Sequence, residues 1–323
     1  MLNWGILGGS NFALKHMAPA IQLARGARLA AVASQAAERA APFAALAPGV
    51  AVHGDYDALL ADPGVDAVYI PLANADHVDW ALRANAAGKH VLCEKPLAMH
   101  AGQIDRLIAA RQASGLELAE AFMIVHHPQW RQVRDWIAAG EIGRLRHVDV
   151  HFTFDNPDPA NIRNRPETGG GAARDIGIYA WGAVIWATGA LPAPLAAECE
   201  MEAGIDATTF MRAGFVGPEG PAAAFSYHAL ISMRLFGRQE VVFQGAGGLI
   251  RLRAPFNPGV FAEAEIELHR PDAPVSVLRY PGVNQYVRQV EAFDAAVEGR
   301  APFPWGLEDS RRVQGVTDRV LSA

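Results

Sequence analysis

Two parts of the sequence carry side chains able to move protons. Residues 90–93 form a short apolar run, and Lys95 follows it within Glu94-Lys95-Pro96. Gly88 stops the helical pattern before the run, which therefore reads as a buried strand. A lysine just past the carboxyl end of such a strand stands where open α/β sheets bind ligands. Farther on, Asp175 and Tyr179 are four apart on one predicted helix and so share a face. A free tyrosine titrates at about 10, too high for proton transfer at neutral pH. A nearby ammonium favours the phenolate and lowers that value. Lys95 and Tyr179 would then suit the interconversion of an alcohol and a carbonyl, with Asp175 beside the reacting hydroxyl. Plainer readings compete: a solvated lysine, a helix-capping carboxylate and a core tyrosine.

A hydride carrier is suggested at the start of the chain. Residues 4–7 read as a strand, Gly8-Gly9-Ser10-Asn11-Phe12-Ala13 as a turn, and residues 13–25 as a helix. The turn matches a GxGxxA dinucleotide fingerprint with Ser10 in the second glycine position. The first glycine permits the tight turn, and the last small residue lets helix and strand pack closely. Ser10 implies a wider approach to a pyrophosphate. The second strand, residues 28–33, leads to Ser34 and Gln35, with Arg39 a turn into the next helix. No acidic residue stands at 34 or 35 to meet a ribose 2′-hydroxyl. Ser34, Gln35 and Arg39 could accommodate a 2′-phosphate, so NADP is expected ahead of NAD. The strand at 66–72 ends at Leu72, and Asn74 and His77 in the following loop could face cofactor or substrate. His77 reads equally well as a polar residue at a helix start.

These residues need a frame. Strand and helix alternate up to about residue 122, ending in a strand read over 116–125, and this specifies a doubly wound parallel sheet. The pattern then changes: a helix at 128–139, a strand at 145–155, a polar loop at 156–168, and an apolar helix opened by Gly169-Gly170-Gly171. Residues 197–252 read as strands joined by turns, which implies an antiparallel or mixed sheet. Helices at 286–298 and 308–321 close the chain. The expectation is an α/β protein: a Rossmann domain at 1–122, then an α+β domain at 123–323 on an open, mostly antiparallel sheet. The terminal helix could pack back on the first domain.

Composition narrows the function classes. The 323 residues are 51% hydrophobic and 19% charged, a globular balance long enough for two cores. A net charge of -6 argues against a general phosphate-backbone binder, so no nucleic-acid partner is expected. Two cysteines, Cys93 and Cys199, make no disulfide framework, and adjacent His126 and His127 are poorly spaced for joint metal ligation, so no metal is expected. The uncharged stretch at 176–197 is broken by Gly189, Pro192 and Pro194 and reads as a buried helix, not a membrane span. No secretory leader is visible, and a cytoplasmic location is expected.

Several segments together resemble the glucose–fructose oxidoreductase/inositol dehydrogenase/rhizopine catabolism family. They are residues 4–8, 66–71, 87–96 and 169–179, joined by 120–123, 127–130, 161–163 and 245–256. The resemblance implies an NAD- or NADP-dependent dehydrogenase or reductase acting on CH–OH groups. It makes Lys95 the active-site lysine, has Glu94 and Pro96 shape the nicotinamide pocket, and gives Asp175 a substrate contact. Asn161 and Arg163 fall among the substrate-binding residues. Many members carry histidine where this chain has Tyr179. Tyrosine there is similar to the aldose and dihydrodiol dehydrogenase members, which favours an aldose or related cyclic vicinal diol. The family also implies a homodimer or homotetramer through the second-domain sheet. Val125 and Trp186 stand where related sugar dehydrogenases have arginine, and Ala73 replaces a proline. A non-catalytic sugar or cofactor sensor and an NAD-assisted glycosidase are the alternatives within the same family.

Overall fold

The computed structural model describes residues 1–34, 36–217 and 220–323. The chain divides into two compact units: Met1–His126 with Asn284–Arg311, and His127–Val283 with Arg312–Ala323.

The first unit is built on six parallel strands: β1 (Leu2–Leu7), β2 (Ala27–Ala33), β3 (Ala51–His53), β4 (Ala67–Ile70), β5 (His90–Cys93) and β6 (Leu118–Glu120). Their order is β3-β2-β1-β4-β5-β6. Purely parallel sheets are covered on both faces, so their strands read as continuous apolar runs rather than alternations. Ala67, Val68, Tyr69 and Ile70 are accordingly all fully buried. Leu7, Ala33, Leu59, Val68, Ile70, Val91, Cys93 and Leu107 belong to one core cluster. Strand order reverses between β1 and β4, and doubly wound sheets bind ligands outside the strand ends at such a point. The last strand is shorter than the sequence suggests. β6 stops at Glu120, and Met123–His126 is a buried 3₁₀ turn. A buried apolar run has the same composition in either conformation.

The second unit carries eight strands: β7 (Leu145–Asp155), β8 (Leu191–Glu202), β9 (Ile205–Gly217), β10 (Gly220–Ser232), β11 (Arg234–Gly245), β12 (Leu249–Leu252), β13 (Glu265–His269) and β14 (Ser276–Arg279). The order is β14-β13-β12-β11-β7-β10-β9-β8, and every pairing is antiparallel except β10 with β7. β7 alternates: Val148, Val150 and Phe152 are buried, while His147, Asp149 and His151 lie on the opposite, partly exposed face. Helices cover the buried face. Trp130 of the helix Pro128–Ala138 packs edge-on against Phe243, and the Tyr227 hydroxyl donates to the Ala180 carbonyl of the helix Ile178–Thr188. That second helix ends at Gly189 in the left-handed region, and β8 begins at once, six residues before the sequence pattern declares it. No helix among the described residues is long and apolar enough to cross a membrane.

Candidate active site

The glycine loop after β1 is shaped by close approach. Gly8 has φ 115°, and a Cβ there would come within 2.9 Å of Leu72 Cδ2. A Cβ on Gly9 would meet the Cβ and carbonyl oxygen of Arg39 at 2.8 Å. Ser10 occupies its glycine position for a clear reason: it caps the helix. Its hydroxyl accepts the Ala13 N–H at 3.0 Å, and its carbonyl accepts the Leu14 N–H at 3.0 Å. The amides of Asn11 and Phe12 precede that first helical bond and have no partner within a helix. With the dipole behind them they suit a pyrophosphate. The Phe12 ring packs edge-on against Tyr286, and the helix runs on through a π-turn, Ala13–Met17.

Beside this loop, Ser34 is buried at the end of β2. Its hydroxyl accepts the Ala36 N–H at 3.3 Å, and its own N–H donates to the His53 carbonyl. Gln35 lies outside the described residues. Arg39 is exposed, with its backbone against Gly9. Burial and the Asp76 carboxylate raise the Tyr56 phenol above its usual range, and the Arg39 cation opposes them. A cradle that a Cβ would fill, free helical amides and a cation alongside fit a dinucleotide phosphate.

The lysine turn follows β5. Lys95 is half-buried, Pro96 is buried, and the peptide between them is cis. Glu94 accepts the Tyr69 hydroxyl at 2.5 Å and the Lys95 N–H at 3.2 Å. Burial raises the Glu94 carboxyl, chiefly against the Lys95 cation that lowers it. Glu120, at the end of β6, takes the Leu97 N–H and the Trp305 indole N–H, both at 2.8 Å. Asn74 lies in the 3₁₀ turn Asn74–Asp76. His77 is fully buried, with both ring nitrogens against backbone carbonyls. Val125 is fully buried, and Cys93 is a buried free thiol raised well above its usual value by burial.

In the second unit, the triple-glycine turn and Asp206 position the helix that carries Asp175 and Tyr179. A Cβ on Gly170 would strike the Arg163 carbonyl, and one on Gly171, at φ 116°, would strike Asp206 Oδ1. Asp206 Oδ2 accepts the Ala173 N–H at 2.7 Å and the Thr209 hydroxyl at 2.8 Å. Asp175 lies on a π-turn, Ala173–Gly177, rather than on regular helix, and Trp181 folds over Gly177 where a Cβ would otherwise go. Single π-turns inside helices gather at functional sites. The Asp175 carboxylate is 8% exposed and accepts Arg163 Nε at 2.8 Å, while Asn161 caps the turn that presents Arg163. Tyr179 is buried against the stacked pair Phe152 and Phe256, with ring centroids at 5.5 and 5.6 Å. Trp186 lies under the Arg134 guanidinium, 4.4 Å from its ring centroid. Glu120 and Asp206 are supporting residues whose roles the sequence does not announce. The signal for Glu120 is an acid closing an apolar strand, and Asp206 sits in a strand that also holds Thr208, Thr209 and Arg212. Among the described residues no group of three or more His, Cys, Asp or Glu is placed to hold a metal ion.

A parallel sheet with a capped glycine loop at its switch point, and a lysine at the end of the next strand but one, defines a dinucleotide-dependent oxidoreductase. The family model described as "Oxidoreductase family, NAD-binding Rossmann fold" matches residues 2–122, and the GFO/IDH/MocA C-terminal domain matches residues 130–241. The chain belongs to the GFO/IDH/MocA oxidoreductase family and binds a nicotinamide dinucleotide, NADP or NAD.

Among its relatives is the dTDP-3,4-didehydro-2,6-dideoxy-alpha-D-glucose 3-reductase of Actinomadura kijaniata, 34% identical over 98% of this chain and 93% of that one. D-xylose 1-dehydrogenase (NADP(+)) 2 of Haloferax volcanii is 32% identical over 93% of this chain and 90% of that one. Among solved structures, a 3-ketoreductase from Actinomadura kijaniata in complex with NADP and TDP-benzene superposes with a TM-score of 0.88. It is 31% identical, with 99% of this chain and 97% of that one covered. That reductase has also been solved with a lysine replaced by alanine or glutamate, and with a tyrosine replaced by phenylalanine.

Proposed function

We propose that this protein interconverts a ring CH–OH and a carbonyl on a pyranose sugar or related cyclic vicinal diol, with Lys95 and Tyr179 as its acid–base unit. The nicotinamide supplies or takes up the hydride when bound. The observation that carries the reading is a matched spacing. The lysine and tyrosine replaced in the Actinomadura reductase are separated by the same number of residues as Lys95 and Tyr179. In this proposed unit a lysine cation serves to favour a deprotonated phenol, and Tyr179 exchanges the proton of the sugar hydroxyl. Asp175, steadied by Arg163, accepts a hydrogen bond from a sugar hydroxyl, and Asn161 contributes beside it. Gly8, Gly9, Ser10, Asn11 and Phe12 hold the pyrophosphate. Ser34, Gln35 and Arg39 take the 2′-phosphate and favour NADP. Leu72, Asn74, Glu94 and Pro96 border the nicotinamide, with His77 beneath them.

Two relatives narrow the substrate in different directions, one named for a 3-keto group of a dTDP-sugar and one for C1 of xylose. Both are pyranose carbonyl chemistry. We propose self-association through the polar face of the eight-stranded sheet, as a homodimer or homotetramer.

The test follows reduced-nicotinamide absorbance with both cofactors. Aldoses, polyols and trans-dihydrodiols are offered for oxidation, and free and dTDP-linked keto sugars for reduction. Turnover on one of these classes is expected. Cofactor binding without turnover on any of them would point to a sensor, and aglycone release without net reduced cofactor to a glycosidase.

A further inference from the structure

His77 opens the helix His77–Ala86 and is fully buried. Its Nδ1 stands 2.8 Å from the Pro96 carbonyl oxygen, and its Nε2 stands 3.1 Å from that of Leu72. Leu72 follows β4 and Pro96 follows β5, adjacent parallel strands that pair Ile70 with Cys93. One imidazole therefore spans the backbones of two turns at the carboxyl edge of the sheet. The chain of contacts continues to the glycine loop, because Leu72 Cδ2 fills the space where a Cβ on Gly8 would go.

Carbonyls only accept, and a neutral imidazole has one N–H to give. Burial, with the Lys95 cation adding to it, holds the ring below the usual histidine range, while the two carbonyls act in the opposite sense. We assign the proton of the neutral ring to Nδ1, the nitrogen with the shorter contact. Nδ1–H thus donates to Pro96, and Nε2 rests against Leu72. With no exposed surface and both nitrogens engaged, the side chain is fully occupied in holding backbone.

We infer that His77 is a positioning residue for Lys95: its Nδ1–H fixes the Pro96 carbonyl and so sets the backbone that carries the lysine against the Leu72 turn. The assignment rests on the reading of Lys95 as an acid–base group. It goes beyond packing because it depends on one ring nitrogen.

Isosteres separate the two nitrogens. In His77→Asn the amide nitrogen falls where Nδ1 was, in His77→Gln where Nε2 was, and His77→Phe keeps the bulk without either. Hydrogen exchange by mass spectrometry, on whole protein saturated with NADPH, reads the segment 92–99 directly. Exchange there is expected to quicken in the Gln and Phe variants and to return towards wild type in the Asn variant. Equal exchange in all three would overturn the assignment.

Turnover supplies the second reading, on the sugar that the absorbance panel identifies. A kcat loss of about tenfold or more is expected for Gln and Phe, with KM little changed and most of the loss recovered in Asn. In a Lys95→Met background, His77→Gln should cost nothing further; an undiminished loss there shows that the histidine does not act through Lys95. If Lys95→Met alone retains full turnover, the reading of Lys95 fails and with it the purpose given to the clamp. The exchange experiment still decides whether the clamp exists.

Discussion

Arg163 donates from Nε to Asp175 Oδ2 at 2.8 Å, and the carboxylate it meets is almost closed off from solvent while the arginine side chain is 40% exposed. Such a pair keeps the carboxylate's charge compensated in a nearly closed setting, and the proposed role of Asp175 on a sugar hydroxyl can be tested on both partners. Asp175→Asn is expected to lower kcat/KM by about 10–100-fold, roughly 1.4–2.7 kcal/mol of transition-state binding. Arg163→Ala should cause a comparable loss, and the double variant little more, because the two act as one unit. Steady-state kinetics at saturating cofactor decides this. Strictly additive losses would show that the residues work separately.

Lys95→Met and Tyr179→Phe should each reduce kcat by about 10²–10⁴. Tyr179→Phe keeps the ring that packs on Phe152 and Phe256, so its melting temperature should stay close to wild type. A large fall in kcat with unchanged stability would assign the loss to the hydroxyl. Unchanged turnover in both variants would remove the pair from the chemistry.

The choice of cofactor can be tested at Arg39, whose backbone lies on Gly9 and whose side chain is exposed. Arg39→Ser should weaken NADPH binding by about tenfold, the loss of one charge-assisted contact. NADH binding should change by less than about twofold, since it lacks the 2′-phosphate. Fluorescence titration with both cofactors measures the difference. Equal weakening would place Arg39 away from that phosphate.

The parts of the site legible in the sequence are those announced by periodicity and glycine. Lys95 stands out because an apolar run, a glycine stop and a proline bracket it, and Asp175 because three glycines open its helix. Ser10 was visible as a departure from a fingerprint, yet a serine ahead of a helix is also a capping signal, and that is its role here. His77 stands out in the sequence as a candidate to face cofactor or substrate, but its contacts do not, because its partners are the backbone carbonyls of Leu72 and Pro96, which carry no side-chain signature. Asp206 was hidden for a related reason: its partner is the Ala173 amide, brought near only by the fold. β3 is three residues long and partly exposed, so neither alternation nor an apolar run marks it. The π-turns at Ala13–Met17 and Ala173–Gly177 arise from packing around the sites and leave no period to read.

Gly171 of the triple-glycine turn and Gly177 of the π-turn behind it make a sharp stability prediction. Gly171→Ala must fit a Cβ at φ 116° against Asp206, and Gly177→Ala must displace the Trp181 ring. Each should cost about 2 kcal/mol or more, through strain or overpacking. Gly102→Ala is the control: its site in the helix Ala101–Ser114 is open, so it should be neutral or stabilising by about 0.5–1 kcal/mol. Denaturant titration of the three variants checks the contrast. A neutral Gly171→Ala would contradict the close approach of Asp206.

The pH dependence of stability should carry two carboxylates of opposite sign. Asp149 lies between His151 and His228, each 3.0 Å away, and its carboxyl is held down at about 2. Its contribution is present above the unfolded value of 3.8 and is lost as pH falls towards about 2. Asp294, 1% exposed and bonded to the Trp4 indole, is pushed up to about 7 by burial. Between the unfolded value of 3.8 and about 7 the folded protein binds the extra proton, so this group makes stability fall as pH rises through that window. Asp294→Asn removes the ionisation and should flatten the slope between pH 4 and 7, raising the melting temperature at pH 8 relative to wild type. Asp149→Asn should leave that slope alone and flatten the acid limb below it. Thermal denaturation of wild type and both variants across the range separates the two; an unchanged slope in Asp294→Asn would mean that its carboxyl ionises within the folded protein at no cost.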